Sequence, residues 1–470
     1  MTTLLWIRVD GTRLVDEAGA TVLLRGVGLG GWMNMENFIT GYPGTEQGIR
    51  RELLGALGQE AYDAFFEAFY VDFFDTADAA HLSSLGMNSV RIPINYRHFE
   101  DDERPFELKE EGFARLDRVV TLLAEHGIYS ILDLHALPGY QNQHWHSDNS
   151  TNVAAFWDHP HFQDRVVHLW EALAERYKNR PEVAGYNPIN EPADPSNERL
   201  LPFYDRLEKA VRAIDPRHIL FLDGNRYSTD FSAFDTRSEP LPNAVYTAHD
   251  YALPGITSAT EYPGVTRGEY FDRGVVEQTF LRRTEYMRRT GTPIWIGEFG
   301  PVYSTDRSQD PWRYRLLQDQ LEVYREHGAS WALWTYKDIG LQGLVHARSD
   351  SPYLELIAGV LEKKRRLGVD SWGGSDRGVR DILDPIDALF DREFPGFAPW
   401  PWGRQPHIAV LVRHIPLAEP LAEEFAALFR GVTPEQAREL AASFRFDRCT
   451  ERVGLSEVLR THLADRVVGA

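Results

Sequence analysis

The feature that most constrains this chain is an alternation: eight apolar, β-rich runs recur along it, and most of the intervals between them are filled by helix-period segments. The runs are Val22–Leu29, Ser89–Ile94, Tyr129–Leu134, Val183–Ile189, Ile219–Leu222, Val245–Ala248, Ile294–Ile296 and Trp331–Trp334. Between them, Gln59–Leu85, Phe113–His126, Phe156–Lys178, Glu198–Ile214, Gly274–Arg289 and Trp312–His327 carry apolar residues at helical spacing. Glycine stands where helix gives way to strand, in Leu85-Gly86, His126-Gly127, Thr290-Gly291 and His327-Gly328, and it accepts the left-handed capping conformation cheaply. Short apolar strands, each followed by a helix, predict an α/β fold of the (β/α)8 TIM barrel type. A doubly wound sheet is the competing fold, but no Gly-x-Gly-x-x-Gly turn follows the first strand.

The ends of the chain add to this frame. From Trp6 to Leu24, apolar and polar residues alternate around Asp10-Gly11 and Glu17-Ala18-Gly19, which predicts an N-terminal β-hairpin lid. Asp381–Phe390 can supply the eighth helix, and the proline-rich stretch Pro395-Gly396-Phe397-Ala398-Pro399-Trp400-Pro401-Trp402 marks a boundary. The expected organisation is a catalytic barrel with its hairpin over 1–394 and a C-terminal helical extension over 395–470. The extension carries Leu421, Phe425, Leu428, Phe429, Leu440, Phe444, Leu459 and Leu463 at helical spacing, a face that docking on the barrel would bury.

Charge and cysteine usage remove several classes of function. Lys and Arg number 50 against 70 Asp and Glu, for a net charge of −20, which disfavours nucleic acid and anionic membrane surfaces as partners. A single cysteine, Cys449, excludes an internal disulfide and a cysteine-based zinc site. No run of about 18 apolar residues occurs, and Met1–Arg8 lacks a basic opening with a long apolar stretch, so the expected location is cytoplasmic and no membrane span is expected.

In a barrel of this kind the reactive groups sit at the carboxyl ends of the strands. The second run ends in Arg91, the third in Asp133-Leu134-His135, the fourth in Ile189-Asn190-Glu191, the sixth in His249-Asp250-Tyr251, the seventh in Gly297-Glu298 and the eighth in Trp334. Glu191 and Glu298 would face each other across the mouth, as glycosidic bond cleavage requires: one carboxyl protonates the leaving oxygen while the other attacks or activates water. Pro192 is expected to bias Glu191 toward extended backbone angles, and Asn190 to offer its amide to a sugar hydroxyl. His144-Trp145-His146 lacks a nearby carboxylate cluster and reads as a hydrogen-bonding loop; no metal and no cofactor are expected.

Asn190-Glu191-Pro192, Ile296-Gly297-Glu298-Phe299-Gly300, Arg91, His135, His249, Tyr251 and Trp334, in this order, resemble glycoside hydrolase family five, the cellulase-like retaining β-glycosidases. The resemblance implies that Glu191 is the acid/base and Glu298 the nucleophile, that Arg91 and Tyr251 steady the nucleophile, and that His135, Asn190 and His249 contact sugar or the carboxylates. It implies further that Trp334 stacks under the sugar ring through a cis peptide toward Thr335. Arg25–Trp32 followed by Glu36, then Pro138–Asn142 and Asp148-Asn149, look like the exo-β-1,3-glucanase branch, in which the residues matching Glu36, Asp148 and Asn149 bind hydroxyls of a terminal glucose. The loop Gln143–Ser147 departs from that branch, being longer and carrying histidines where a phenylalanine is expected. The implied activity is exo-acting hydrolysis of β-glucosides or short β-glucan oligosaccharides, with a carbohydrate as the expected partner. β-Mannosidase, diglycosidase and endo-glucanase activities on the same barrel are the alternatives. A non-catalytic carbohydrate-binding barrel and a metal-dependent hydrolase using His135, Asp133 and His249 are more distant ones.

Overall fold

The computed structural model describes residues 4–251, 261–266, 268–303, 307–369, 372 and 375–464. Eight parallel strands close into a barrel: β1 (Arg25–Gly28), β2 (Ser89–Asn95), β3 (Tyr129–Ala136), β4 (Val183–Asn187), β5 (Ile219–Asp223), β6 (Ala244–His249), β7 (Ile294–Phe299) and β8 (Ser330–Leu333). Each strand overlaps one of the eight runs, and β8 pairs with β1 to shut the cylinder, so the (β/α)8 fold expected from the alternation is the fold observed. Helices Glu110–Glu125, Pro160–Tyr177, Leu200–Ile214, Arg273–Arg283 and Asp310–Glu326 occupy the predicted intervals. The predicted Gln59–Leu85 helix is two, Glu46–Asp72 and Thr76–Ser84, and the first of these is interrupted at Gly58, whose φ of 71° only glycine adopts freely. Among the described residues, no helix is long and apolar enough to cross a membrane.

Strand alternation sets what fills the barrel. Near the amino ends of the strands, Tyr129, Ile131, Ile219, Phe221, Val245 and Trp295 form an apolar floor, which the hairpin of Ile7–Asp10 and Arg13–Asp16 seals by burying Ile7 and Leu14 against it. Two residues further along the same faces come Asp133, Asp223 and Thr247, and then His135 and His249. The interior therefore passes from apolar at the base to titratable at the mouth.

The eighth helical position is filled from an unexpected part of the chain. Asp381–Phe390 is helical, within Arg380–Glu393, but its buried face joins a separate small cluster with Val379 and Ile408. The helix that lies against β8 is Val453–Ala464: His462 packs on the Trp331 ring, Gly454 sits against Tyr314 of the Asp310–Glu326 helix, and Leu463 lies beside Gly86 just before β2. Helix-period reading alone could not separate the two candidates, because both carry an apolar stripe.

The tail segments Ala418–Ala427, Pro434–Ala441 and Ala442–Phe444 pack on the Glu46–Asp72 helix, where Phe429 meets Phe65 and Phe444 meets Phe69 and Phe73. Buried Lys337 donates to the carbonyls of Phe73 and Phe444 and pairs with Asp78 at 2.6 Å, so barrel and tail satisfy one charge together. Phe444 is fully buried, and Phe444→Ala is expected to lower stability by about 3–5 kcal/mol, measured by chemical denaturation.

Candidate active site

The two glutamates are brought to the mouth by departures from regular strand geometry. In β7, Trp295 faces the barrel floor, so strict alternation would turn Gly297 inward and Glu298 outward. A register shift between Ile296 and Glu298 adds a residue and turns Glu298 into the mouth as well. Gly297 makes this possible, since a Cβ there would lie 2.5 Å from Thr247 and 3.0 Å from His249. Glu191 follows β4 by four residues and has a φ of 46°, so the expected extended conformation is overturned. Proline after it disfavours only the right-handed helical region, and buried groups fix the remainder. The Glu191 N–H donates to Asp223 at 2.9 Å, its carbonyl accepts from Asn142 at 3.0 Å, and the Asn190 carbonyl accepts from Gln141 at 2.9 Å.

The carboxylates approach each other closely but stand in unequal surroundings. One oxygen of Glu191, one of Glu298 and a ring nitrogen of His249 lie within 4.8 Å of one another. Glu298 Oε1 accepts from Arg91 Nη1 at 2.6 Å, and its Oε2 accepts from the Tyr251 hydroxyl at 3.2 Å. On Glu191, Oε1 lies 2.7 Å from His249 Nδ1 and Oε2 lies 3.1 Å from His146 Nε2. Burial alone would raise the Glu191 carboxyl, but hydrogen bonding by His146 and His249 outweighs it and holds the group well below the ordinary carboxylate range. Burial likewise works against a charged His249, yet Glu298 and Glu191 raise it above its ordinary value. A metal ion could use the same spacing, but the Arg91 guanidinium already supplies the cation at Glu298 and hydrogen-bonding groups already face both carboxylates.

Beneath this pair lies a buried polar layer. Arg91 reaches Asn187 at 3.0 Å, Asn190 at 2.7 Å and Asp133 at 3.1 Å besides Glu298. His135 Nδ1 lies 2.7 Å from Asp133, and its Nε2 faces the Asn190 amide at 3.2 Å and Glu36 at 3.3 Å. Burial holds His135 well below its ordinary pKa and pushes Asp133 up to about 7 against the lowering effect of Arg91. Asp133 and His135 are thus engaged with each other and His249 with Glu191, and among the described residues the three form no common ligand cluster. Asn190 is fully buried, with its amide oxygen accepting from Arg91 and its amide nitrogen facing His135.

A cavity of about 700 Å³ opens above, lined by Glu36, His135, Glu191, His249, Tyr251, Glu298 and Trp334 from the expected set. Trp334 lies parallel to the His135 ring at 5.5 Å, and its peptide bond to Thr335 is cis as expected. Gly28 and Gly30 admit the indole: a Cβ on either would lie 2.6–2.7 Å from its ring atoms. The outer wall is aromatic, with Phe38 against Trp145 and Trp372, and with Tyr227 stacked at 4.7 Å on Trp402 from the tail, the two groups joined by His144 between Trp145 and Trp402.

Asp148 and Asn149 do not belong to this cavity. Asp148 accepts from the Gln47 N–H, Asn95 and Arg97, and Asn149 bonds the carbonyls of Asn142 and Val153 and the N–H of Thr151. Both are buried in the loop, with their polar atoms matched within the protein. Sequence reading passed over Asp223, two residues below an inward-facing position at the mouth, and gave His146 and Asn142, from the histidine-bearing loop and the stretch before it, no part beside the Glu191 carboxylate.

Comparison with known proteins agrees with this geometry. The pattern of the Cellulase (glycosyl hydrolase family 5) family matches residues 58–340. A protein of Phanerodontia chrysosporium named beta-xylosidase is 46% identical over 97% of both chains, and a probable glucan 1,3-beta-glucosidase A of Aspergillus fumigatus is 30% identical over 68% of this chain and 84% of its own. Among solved structures, an endogalactoceramidase superposes with a TM-score of 0.53 at 18% identity over 71% of this chain and 75% of its own, a likeness of fold. The chain is a glycosidase acting on β-glycosides and belongs to glycoside hydrolase family 5.

Proposed function

We propose that this enzyme is a retaining, exo-acting β-glycosidase that releases single β-glucosyl or β-xylosyl units, with Glu298 as nucleophile and Glu191 as acid/base. The observation that carries the reading is a pair of carboxylates across one cavity, an oxygen of each within 4.8 Å of the other, one group beside a guanidinium and the other between two histidines. Both carboxyls also contact the same His249 ring nitrogen, an approach that favours direct attack on the anomeric carbon over the wider spacing of about 6.5–9.5 Å that an inverting pair keeps for its water. Arg91 and Tyr251 hold Glu298 aimed across the cavity, while the two histidines hydrogen-bond the Glu191 carboxyl that passes a proton to the leaving oxygen.

Exo action is supported by the loop that carries His144, Trp145 and His146 into the cavity and by the tail residue Trp402 packed on His144, which together narrow the mouth. The sugar assignment rests on the resemblance to glucan glucosidases and on the relative named beta-xylosidase. Xylose shares the equatorial hydroxyls of glucose and lacks only the hydroxymethyl group. A panel of aryl β-glycosides tests the reading: the glucoside or the xyloside should exceed the mannoside and galactoside in kcat/KM by about 10-fold or more, since a displaced hydroxyl leaves polar groups of the site unmatched. Release of intact cellobiose from the aryl cellobioside as the preferred reaction would contradict the exo assignment.

A further inference from the structure

The loop histidine His146 has an arrangement that the reaction as described does not use. Asn142 Oδ1 accepts from the His144 N–H at 2.9 Å, which identifies its other atom as the amide nitrogen, and that nitrogen bonds the Glu191 carbonyl at 3.0 Å and faces His146 Nε2 at 2.9 Å. A neutral His146 therefore presents a lone pair at Nε2 and carries its proton on Nδ1, which lies 3.0 Å from His144 Nδ1. The same Nε2 lies 3.1 Å from Glu191 Oε2. With the lone pair there, the contact is a hydrogen bond only when Glu191 holds a proton. With Glu191 ionised, it is one only when His146 Nε2 carries a hydrogen, as the cation or as the Nε2–H tautomer, and in either form the Asn142 N–H points at another N–H.

We infer that Glu191 and His146 hold one proton between them, and that His146 is a positioning residue which keeps that proton available to the acid/base. The inference rests on the reading of Glu191 as acid/base. In the first step the O–H bond at Glu191 Oε2 breaks, its proton goes to the glycosidic oxygen, the C1–O bond breaks with its electron pair on that oxygen, and a Glu298 oxygen bonds C1. In the second step, water attacks C1, its proton returns to Glu191 Oε2, and the Glu298 ester bond opens with its electron pair on the carboxylate. His146 Nε2 accepts a hydrogen bond from the reprotonated acid. The groups that surround the shared proton are His249 on the other Glu191 oxygen, His135 and Tyr227 across the His146 ring, and His144 behind it, itself packed on His414 and Trp402. Burial, first of all, and His146 and His414 hold His144 well below its ordinary pKa, so it stays neutral and takes no proton from the pair.

The test is the full-length enzyme with His146→Phe, and His146→Gln as the variant that retains an amide in the same space. Both are compared with the parent on an alkyl β-glucoside and on 2,4-dinitrophenyl β-glucoside. The alkaline limb of kcat/KM on the alkyl glucoside should move down by about one pH unit or more, because one of the two places that hold the proton is gone. Activity at neutral pH should fall by about 10- to 100-fold on the alkyl glucoside and hardly at all on the dinitrophenyl glucoside, whose leaving group needs no proton. An unmoved alkaline limb, or equal losses on both substrates, overturns the inference. Glu191→Ala measured in parallel separates the failures: equal damage on both substrates there sinks the acid/base reading itself, whereas selective damage there with an unmoved limb in the His146 variants sinks only the shared proton.

Discussion

Glu298→Ala is expected to abolish turnover on every substrate, with kcat falling on the order of 10⁶-fold whatever the leaving group. The reason is in the contacts: Arg91 and Tyr251 both converge on this carboxylate. The truncated side chain also leaves space beside Arg91 for a small anion. Added azide should therefore restore activity on a dinitrophenyl glycoside and give the α-glycosyl azide, since the anion attacks once from the face that Glu298 occupied. A variant that keeps activity without azide, or that gives the β-azide, would place the nucleophile elsewhere.

Glu191→Ala should show the complementary pattern. Substrates with poor leaving groups should lose about 10²–10⁴-fold in kcat/KM, the usual contribution of a positioned general acid, while the dinitrophenyl glycoside should still form the glycosyl-enzyme. Its turnover then waits on a water that lacks a base. Azide, which needs no deprotonation, should release the intermediate as the β-glycosyl azide. The opposite anomers from the two variants distinguish the roles of two residues whose carboxylates are otherwise within 4.8 Å of each other.

The barrel was legible in the sequence because each strand is an apolar run with a helix-period segment on most of its flanks, and because the inward faces carry titratable residues only at their carboxyl ends. What was not legible depends on backbone events that leave no periodic trace. Alternation counted from Trp295 puts Glu298 on the wrong face, and only the register shift beside Gly297 corrects it. Glu191 takes a left-handed conformation that neither its residue type nor the proline after it announces; it is fixed by Asp223, Gln141 and Asn142 from other strands and loops. Asp148 and Asn149 carried the motif of a sugar-binding loop, yet Arg97, Asn95 and the Gln47 backbone occupy the one and three backbone groups the other. The eighth helix comes from Val453–Ala464 because the last strand can be covered by any amphipathic segment the tail can deliver, and chain order does not decide which.

The central claim is that Glu298 forms a covalent bond to the sugar and that two inversions restore its configuration. Proton NMR of the released sugar during the first minutes of hydrolysis of an aryl β-glucoside or β-xyloside measures this directly. The account predicts that the β-anomer appears first and the α-anomer grows only as mutarotation proceeds. Initial release of the α-anomer would contradict it, because a single displacement by water would then be the reaction the two glutamates carry out.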